Sequence, residues 1–108
     1  MRSPIAALLP LCLLAGCAGY AADYWRAETS IIEPQLSRYG LDPAQSQCVG
    51  QRLARDLSVW QLRQLERVAR LVPEGHFGQP LAMRDLIYVA SHVQDPAVRP
   101  AVEAAAES

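Results

Sequence analysis

The chain has 108 residues, three cysteines and a formal net charge of −1. This length supports one small domain with a modest buried fraction, and three cysteines provide no disulfide framework. All ten basic residues are arginine and are balanced by eleven acids, which argues against a nucleic-acid-binding protein, since such proteins are usually clearly basic.

The N-terminal residues have the pattern of an export leader. Arg2 supplies a positive charge, and residues 5–15 form an apolar stretch that is interrupted by Pro10. This stretch is too short for a comfortable membrane span, which needs about 20 residues. It ends in the sequence Leu-Ala-Gly-Cys at residues 14–17.

This ending resembles the lipobox of bacterial lipoproteins, and the resemblance is confined to the first 17 residues. In that class the cysteine receives a diacylglyceryl group, the leader is cut before it, and the new amine is acylated. The resemblance implies a signal peptide over residues 1–16 and lipid on Cys17. Because Ala18 is not the aspartate that retains enteric lipoproteins in the inner membrane, we expect an outer-membrane anchor that faces the periplasm.

Other fates of the leader stay open. Cleavage near Ala21 would release a soluble periplasmic protein, and an uncleaved leader would act as a signal anchor, since residues 5–22 carry no charge. Retention in the inner membrane is a further alternative. We favour the lipobox because the cysteine directly follows a narrow motif at a narrow position.

Residues 17–22 would then be the lipidated cysteine and a short tether. The five residues after Cys17 reach at most about 18 Å, which holds the domain near the bilayer. Cys48 would be the one remaining thiol. We expect it to be buried as a small hydrophobic residue, with pairing to another chain as the alternative.

The first helical pattern covers residues 23–39. Its apolar stripe consists of Trp25, Ile32, Leu36 and Tyr39. Pro34 predicts either a kink or a new helix that begins at Ser30, with Ser30 and Glu33 as a capping box. Gly40 is expected to end this helix as its C′ residue.

Two more helices are predicted over residues 43–56 and 59–72. Each begins with a capping pattern, Asp42 with Gln45 and Ser58 with Gln61. The second helix has an inward face at spacings of three and four: Leu62, Leu65, Val68, Ala69 and Val72.

The rest of the chain predicts a loop over residues 73–80 and a last helix over 81–93. The inward face of that helix consists of Met83, Leu86, Ile87, Ala90 and Val93. Asp95 could cap one more short turn, but the alanine-rich residues 96–108 are expected to fray. The sequence therefore predicts an all-α fold, a small bundle of about four short helices over residues 23–95.

The sequence offers no pattern typical of an enzyme. His76 and His92 have no ligand-forming neighbours at metal-binding spacing. We expect His76 to be a solvated loop residue and His92 to lie at the carbonyl end of the last helix. Cys48 could be a nucleophile only if a histidine packed against it. We predict no catalytic residues, no cofactor and no metal.

One charge pattern stands out on the helix at residues 59–72. Arg63, Arg67 and Arg70 share a face opposite much of the leucine stripe. Guanidinium groups suit phosphate and carboxylate, so this face is a candidate contact for an anionic phospholipid surface or an acidic partner. The alternative is an ordinary solvated face.

These features predict a small non-catalytic envelope lipoprotein. It would be a protein-interaction or structural module, held close to the membrane by the lipid on Cys17, with another envelope protein as its partner. The alternative function is binding of a small apolar or lipid ligand inside the bundle. Such a cavity would be lined by Leu62, Leu65, Met83 and Leu86.

Overall fold

The computed structural model describes residues 28–108. The predicted signal peptide, Cys17, the predicted tether and Trp25 lie outside the described residues. All regular secondary structure within residues 28–108 is helical, which confirms the all-α prediction. A 3₁₀ turn (Thr29–Ile31) is followed by five α-helices: α1 (Glu33–Arg38), α2 (Pro43–Asp56), α3 (Val59–Leu71), α4 (Met83–Ala90) and α5 (Val98–Ala106).

The helical pattern is interrupted just before Pro34, as expected. Pro34 lies in the first turn of α1, where its missing N–H removes no helical hydrogen bond. The predicted capping box of Ser30 and Glu33 is wrong. The α-helix begins only at Glu33, after a residue without a side-chain cap, and the Ser30 hydroxyl instead donates to Glu28 at 3.4 Å.

The predicted C′ role of Gly40 is confirmed. Gly40 has a φ of +87°, which favours glycine. Its N–H donates to the Ser37 carbonyl, and the Leu41 N–H donates to the Leu36 carbonyl, both at 3.1 Å. These two hydrogen bonds together form a Schellman motif, which turns the chain from α1 toward α2.

The capping boxes predicted at the starts of α2 and α3 are both present. The Gln45 N–H donates to Asp42 Oδ1 at 2.8 Å, and the Asp42 N–H donates to Gln45 Oε1 at 3.0 Å. Ser58 and Gln61 make the equivalent pair of bonds at 3.2 and 2.8 Å. Because each capping box involves only four consecutive residues, the starts of α2 and α3 could be predicted from the local sequence.

The core lies between the helices and contains most of the predicted inward residues. Leu62, Leu65 and Ala69 of α3 are fully buried. Of the predicted face of the last helix, Leu86, Ala90 and Val93 are buried, whereas Met83 and Ile87 are only partly buried. Val89 is also buried, although the sequence pattern did not select it.

The predicted fraying of residues 96–108 is wrong, and the helical domain does not end at residue 95. Residues 98–106 form α5, which packs against α2 and α4 and buries Val98, Val102 and Ala105 completely. A short alanine-rich helix is marginal in isolation, but burial of an apolar face stabilises it. An ion pair between Arg99 and Glu103 at 2.7 Å supports its exposed side.

Asp95 connects the beginning of α5 to α3. Its carboxylate accepts hydrogen bonds from the Gln61 side chain and from the Ala97 N–H, both at 3.0 Å. These two bonds, chiefly the one from Gln61, lower the pKa of Asp95. Asp95 therefore caps the short turn before α5, as expected, and also contacts α3, whereas α5 itself begins after Ala97 without a side-chain cap.

Arg38 closes the carbonyl end of α3. Its guanidinium donates to the Ala69 carbonyl at 3.2 Å and to the Val72 carbonyl. It also donates to Gln35 at 2.7 Å and to Glu74 at 3.2 Å. The last carbonyls of a helix have no partner within the helix, so α1 supplies part of what α3 lacks.

Tyr39 adds to the same closure. Its hydroxyl is buried and donates to the Ala69 carbonyl at 2.9 Å. Burial is the main cause that raises the pKa of Tyr39 above its usual value. We refer to Arg38 and Tyr39 together as the α3 cap.

We predict that Leu65→Ala lowers the free energy of unfolding by about 2–5 kcal/mol, because the fully buried leucine leaves a cavity. The matched control is Leu71→Ala on the same helix, where the side chain is 73% exposed. Its effect should stay within about 0.5 kcal/mol. Urea unfolding followed by helical circular dichroism measures both, and equal losses would contradict the observed orientation of α3.

We predict that Arg38→Met lowers the free energy of unfolding by about 1.5–3 kcal/mol, since charged hydrogen bonds to the end of α3 are lost. Glu74→Gln removes only the exposed ion-pair partner and should cost at most about 1 kcal/mol. Chemical unfolding of the two variants under identical conditions compares these values. If Arg38→Met lowers the free energy of unfolding no more than Glu74→Gln does, the hydrogen bonds from Arg38 to the end of α3 do not stabilise the domain.

Candidate functional site

The outward face of α3 carries the three arginines singled out from the sequence. Because Leu62 and Leu65 face the core, the opposite side of this helix is turned to solvent. Arg63, Arg67 and Arg70 are all exposed there. The structure therefore leaves these guanidinium groups accessible to a partner.

The three arginines differ in their contacts. Arg63 lies over the ring of Trp60, with 5.5 Å between Cζ and the ring centre. Arg70 forms an exposed ion pair of 3.5 Å with Glu66, and Arg67 has no ion-pair partner among residues 28–108. With three arginines and one acid, α3 has two positive charges in excess.

Two apolar residues on the same face were missed from the sequence. The side chains of Trp60 and Leu71 are 55% and 73% exposed, although both are large and hydrophobic. They are separated by eleven residues, which is three helical turns and about 20°. A full helical projection could have found them, because the rotation that turns Leu62 and Leu65 inward turns these two residues outward.

The arginines of α2 are in a different electrostatic situation. Arg52 and Arg55 both lie close to Asp56, at 2.8 and 3.5 Å. The hydrogen bond from Arg52 is the main cause that lowers the pKa of Asp56. Asp56 thus partly neutralises this pair, whereas Arg67 on α3 has no such neighbour.

The expected burial of Cys48 is wrong. The inward stripe of α2 consists of Ser46, Val49, Gly50 and Leu53, which leaves Cys48 at the side of the helix and exposed. Cys48 lines a surface groove of about 320 Å³ between α2, the start of α4 and the end of α5. Met83 and Ala106 form part of the opposite wall.

The two histidines lie at another groove, and neither lines the groove of Cys48. The rings of His76, Phe77, Tyr88 and His92 follow one another with centres 4.8, 5.7 and 4.8 Å apart. A nucleophilic pair of Cys48 with a histidine is therefore not assembled within the described residues.

His92 lies near the carbonyl end of α4, as expected. Its Nδ1 is 3.0 Å from the Tyr88 carbonyl. Since a carbonyl only accepts, the ring hydrogen is assigned to Nδ1 in this contact. His76 is exposed in the loop, which agrees with its expected position, and no group of three or more metal-binding side chains occurs in residues 28–108.

Among the grooves found in residues 28–108, none is lined by all four residues named for an interior ligand. Leu62, Leu65 and Leu86 are fully buried and belong to one packed core cluster. Met83 instead borders the surface groove that contains Cys48, and none of the three leucines lines that groove.

Known proteins give no further guide to this surface. The chain matches no family model, no curated protein and no solved structure. In the part of the chain from residue 28 onward, no helix combines the length and apolar character required to cross a bilayer.

We predict that Cys48 reacts readily with a maleimide in the folded protein, because its thiol is exposed. The test uses a chain with Cys12→Ser and Cys17→Ser, so that Cys48 is the one thiol. Labelling should proceed at a similar rate with and without denaturant.

The matched control moves the thiol by one position. In the same chain, Cys48→Ser with Val49→Cys places it at a position that is 6% exposed, where it should be protected until the protein unfolds. Equal protection of the two positions would contradict the exposed location of Cys48.

Proposed function

We propose that this protein is a small non-catalytic envelope lipoprotein, anchored in the outer membrane through lipid on Cys17. The domain would serve as a protein-interaction or structural module at the periplasmic surface of that membrane. The observation that carries the proposal is the Leu-Ala-Gly-Cys sequence at residues 14–17, directly after a charged and apolar leader.

The strength of such an anchor follows from its chemistry. Each buried methylene contributes about 0.8 kcal/mol, and one acyl chain alone gives only reversible binding. Lipoprotein processing of Cys17 would supply three chains. The mature protein would then remain on the membrane, and its activity would be confined to what lies within reach of the anchor.

That reach can be bounded from the chain itself. Eleven peptide links connect Cys17 to Glu28, the first described residue. Even fully extended, they span at most about 40 Å. The domain therefore stays close enough to the bilayer for a surface of α3 to meet phospholipid headgroups.

The arginine face is the candidate contact with those headgroups. Arg63, Arg67 and Arg70 are exposed, and guanidinium groups bind phosphate oxygens in a fork geometry. Each arginine near an anionic surface contributes up to about 1 kcal/mol. This weak binding becomes effective because the anchor supplies a high local concentration.

We predict that Cys17→Ala abolishes incorporation of radiolabelled palmitate and leaves the leader uncut or the protein released from membranes. The reason is that the thiol is the acceptor of the first lipid group in the proposed processing. Cys12→Ala is the matched control, because it changes a leader cysteine outside the motif and should leave labelling unchanged. Equal labelling of the parent and Cys17→Ala would refute the proposed anchor.

A further inference from the structure

We infer that α3 docks lengthwise on an anionic phospholipid surface, with Trp60 and Leu71 entering the interfacial layer at its two ends. Arg67 lies between them along the helix and would meet the phosphates. The inference rests on the proposed function, since the lipid on Cys17 brings α3 to the membrane. It adds a defined orientation of the domain and two apolar anchors to the arginine contact.

The geometry of α3 allows both anchors to enter at once. Trp60 and Leu71 differ by about 20° around the helix and by about 16 Å along its axis. A plane laid against this side of α3 therefore touches both side chains. They are 55% and 73% exposed, so neither has to leave the core to reach the plane.

The charges on the side of α3 that carries Trp60 and Leu71 are complementary to an anionic surface. Arg67 falls between the two anchors and has no ion-pair partner in the described part of the chain. Glu66 is the one acid of α3; it is half-buried, and Arg70 pairs with it. Within α3, an anionic bilayer would thus meet arginines and apolar side chains rather than an exposed, unpaired carboxylate.

The two anchors have the chemistry that the interface favours. A tryptophan ring combines a large apolar surface with one hydrogen-bond donor and is enriched at headgroup level. Arg63 lies over the Trp60 ring, so the ring and a cation would arrive at the same depth. Leucine and tryptophan beside arginines are typical of helices that lie in the membrane plane.

The orientation has a consequence for the Cys48 groove. That groove is formed by residues of α2, the start of α4 and the end of α5, and no residue of α3 lines it. Docking through α3 would therefore leave the thiol accessible from the aqueous side. The Cys48 groove and the proposed docking face are therefore built from different helices.

The experiment measures Trp60 in the intact lipidated protein. The parent and Trp60→Phe are purified with palmitate incorporation verified, then reconstituted into phosphatidylethanolamine vesicles containing phosphatidylglycerol. The difference between their emission spectra reports Trp60, whatever Trp25 contributes. Lipids brominated close to the headgroup should quench this difference signal about twofold, as expected for a ring at the headgroup–acyl boundary.

Matched variants test each part of the inference. Leu71→Ser should reduce quenching because it removes the second anchor, and changing Arg63, Arg67 and Arg70 together to Gln should reduce it in anionic vesicles. For a tryptophan moved to α2, with Trp60→Phe and Gln51→Trp, the difference signal against Trp60→Phe alone should remain unquenched. Equal helical circular dichroism of all variants shows that each is folded.

The outcomes separate this inference from the proposed function. A palmitate-labelled protein whose Trp60 is quenched no more than the tryptophan at position 51 overturns the docking and leaves the anchor intact. If a photocrosslinker at position 60 then captures another envelope protein in cells, the face is a protein interface and the docking is wrong. A parent that takes up no palmitate overturns both proposals.

Discussion

The closure of α3 by the end of α1 is the constraint on which the arrangement of the domain depends. Arg38 donates to the carbonyls of Ala69 and Val72, and Tyr39 donates to the carbonyl of Ala69. These bonds lie at the end of α3, where the Ala69 carbonyl otherwise accepts only a long bond of 3.4 Å from the Val72 N–H. Because the cap holds one end of α3 and the hydrogen bond from Gln61 to Asp95 ties the other end to the chain before α5, the helix has little freedom to rotate. Its inward and outward faces are thereby determined together.

This determination links the core to the surface that we propose to meet lipid. The same rotation that buries Leu62 and Leu65 exposes Trp60 and Leu71. The apolar residues of α3 thus serve two separate purposes, packing on one side and a candidate contact on the other. The arginines occupy the exposed side because a buried guanidinium would need a full set of partners.

Features specified within a few residues were predictable, whereas features that depend on distant partners were not. The two capping boxes and the turn at Gly40 are complete within short segments, so the sequence patterns identified them. The helix at residues 98–106 was not predicted, because it is stabilised by burial against α2 and α4. A local sequence pattern carries no information about these distant contacts. The same applies to Arg38, whose carbonyl partners lie more than 30 residues away. The exposed positions of Trp60 and Leu71 on α3 could have been predicted from the sequence. This would have required a helical projection of the outward-facing residues as well as the inward-facing ones.

The α3 cap also has a mechanical consequence for a chain tethered at Cys17. In the proposed lipoprotein, tension from the anchor would reach the described part of the domain at Glu28 and pass through the 3₁₀ turn and the six residues of α1. What resists it there is the burial of Ile32 and Leu36, followed by the cap. A pull strong enough to detach α1 would also break the hydrogen bonds of the α3 cap and release the carbonyl end of α3. Force applied at the anchor would therefore be transmitted through α1 to the proposed docking helix.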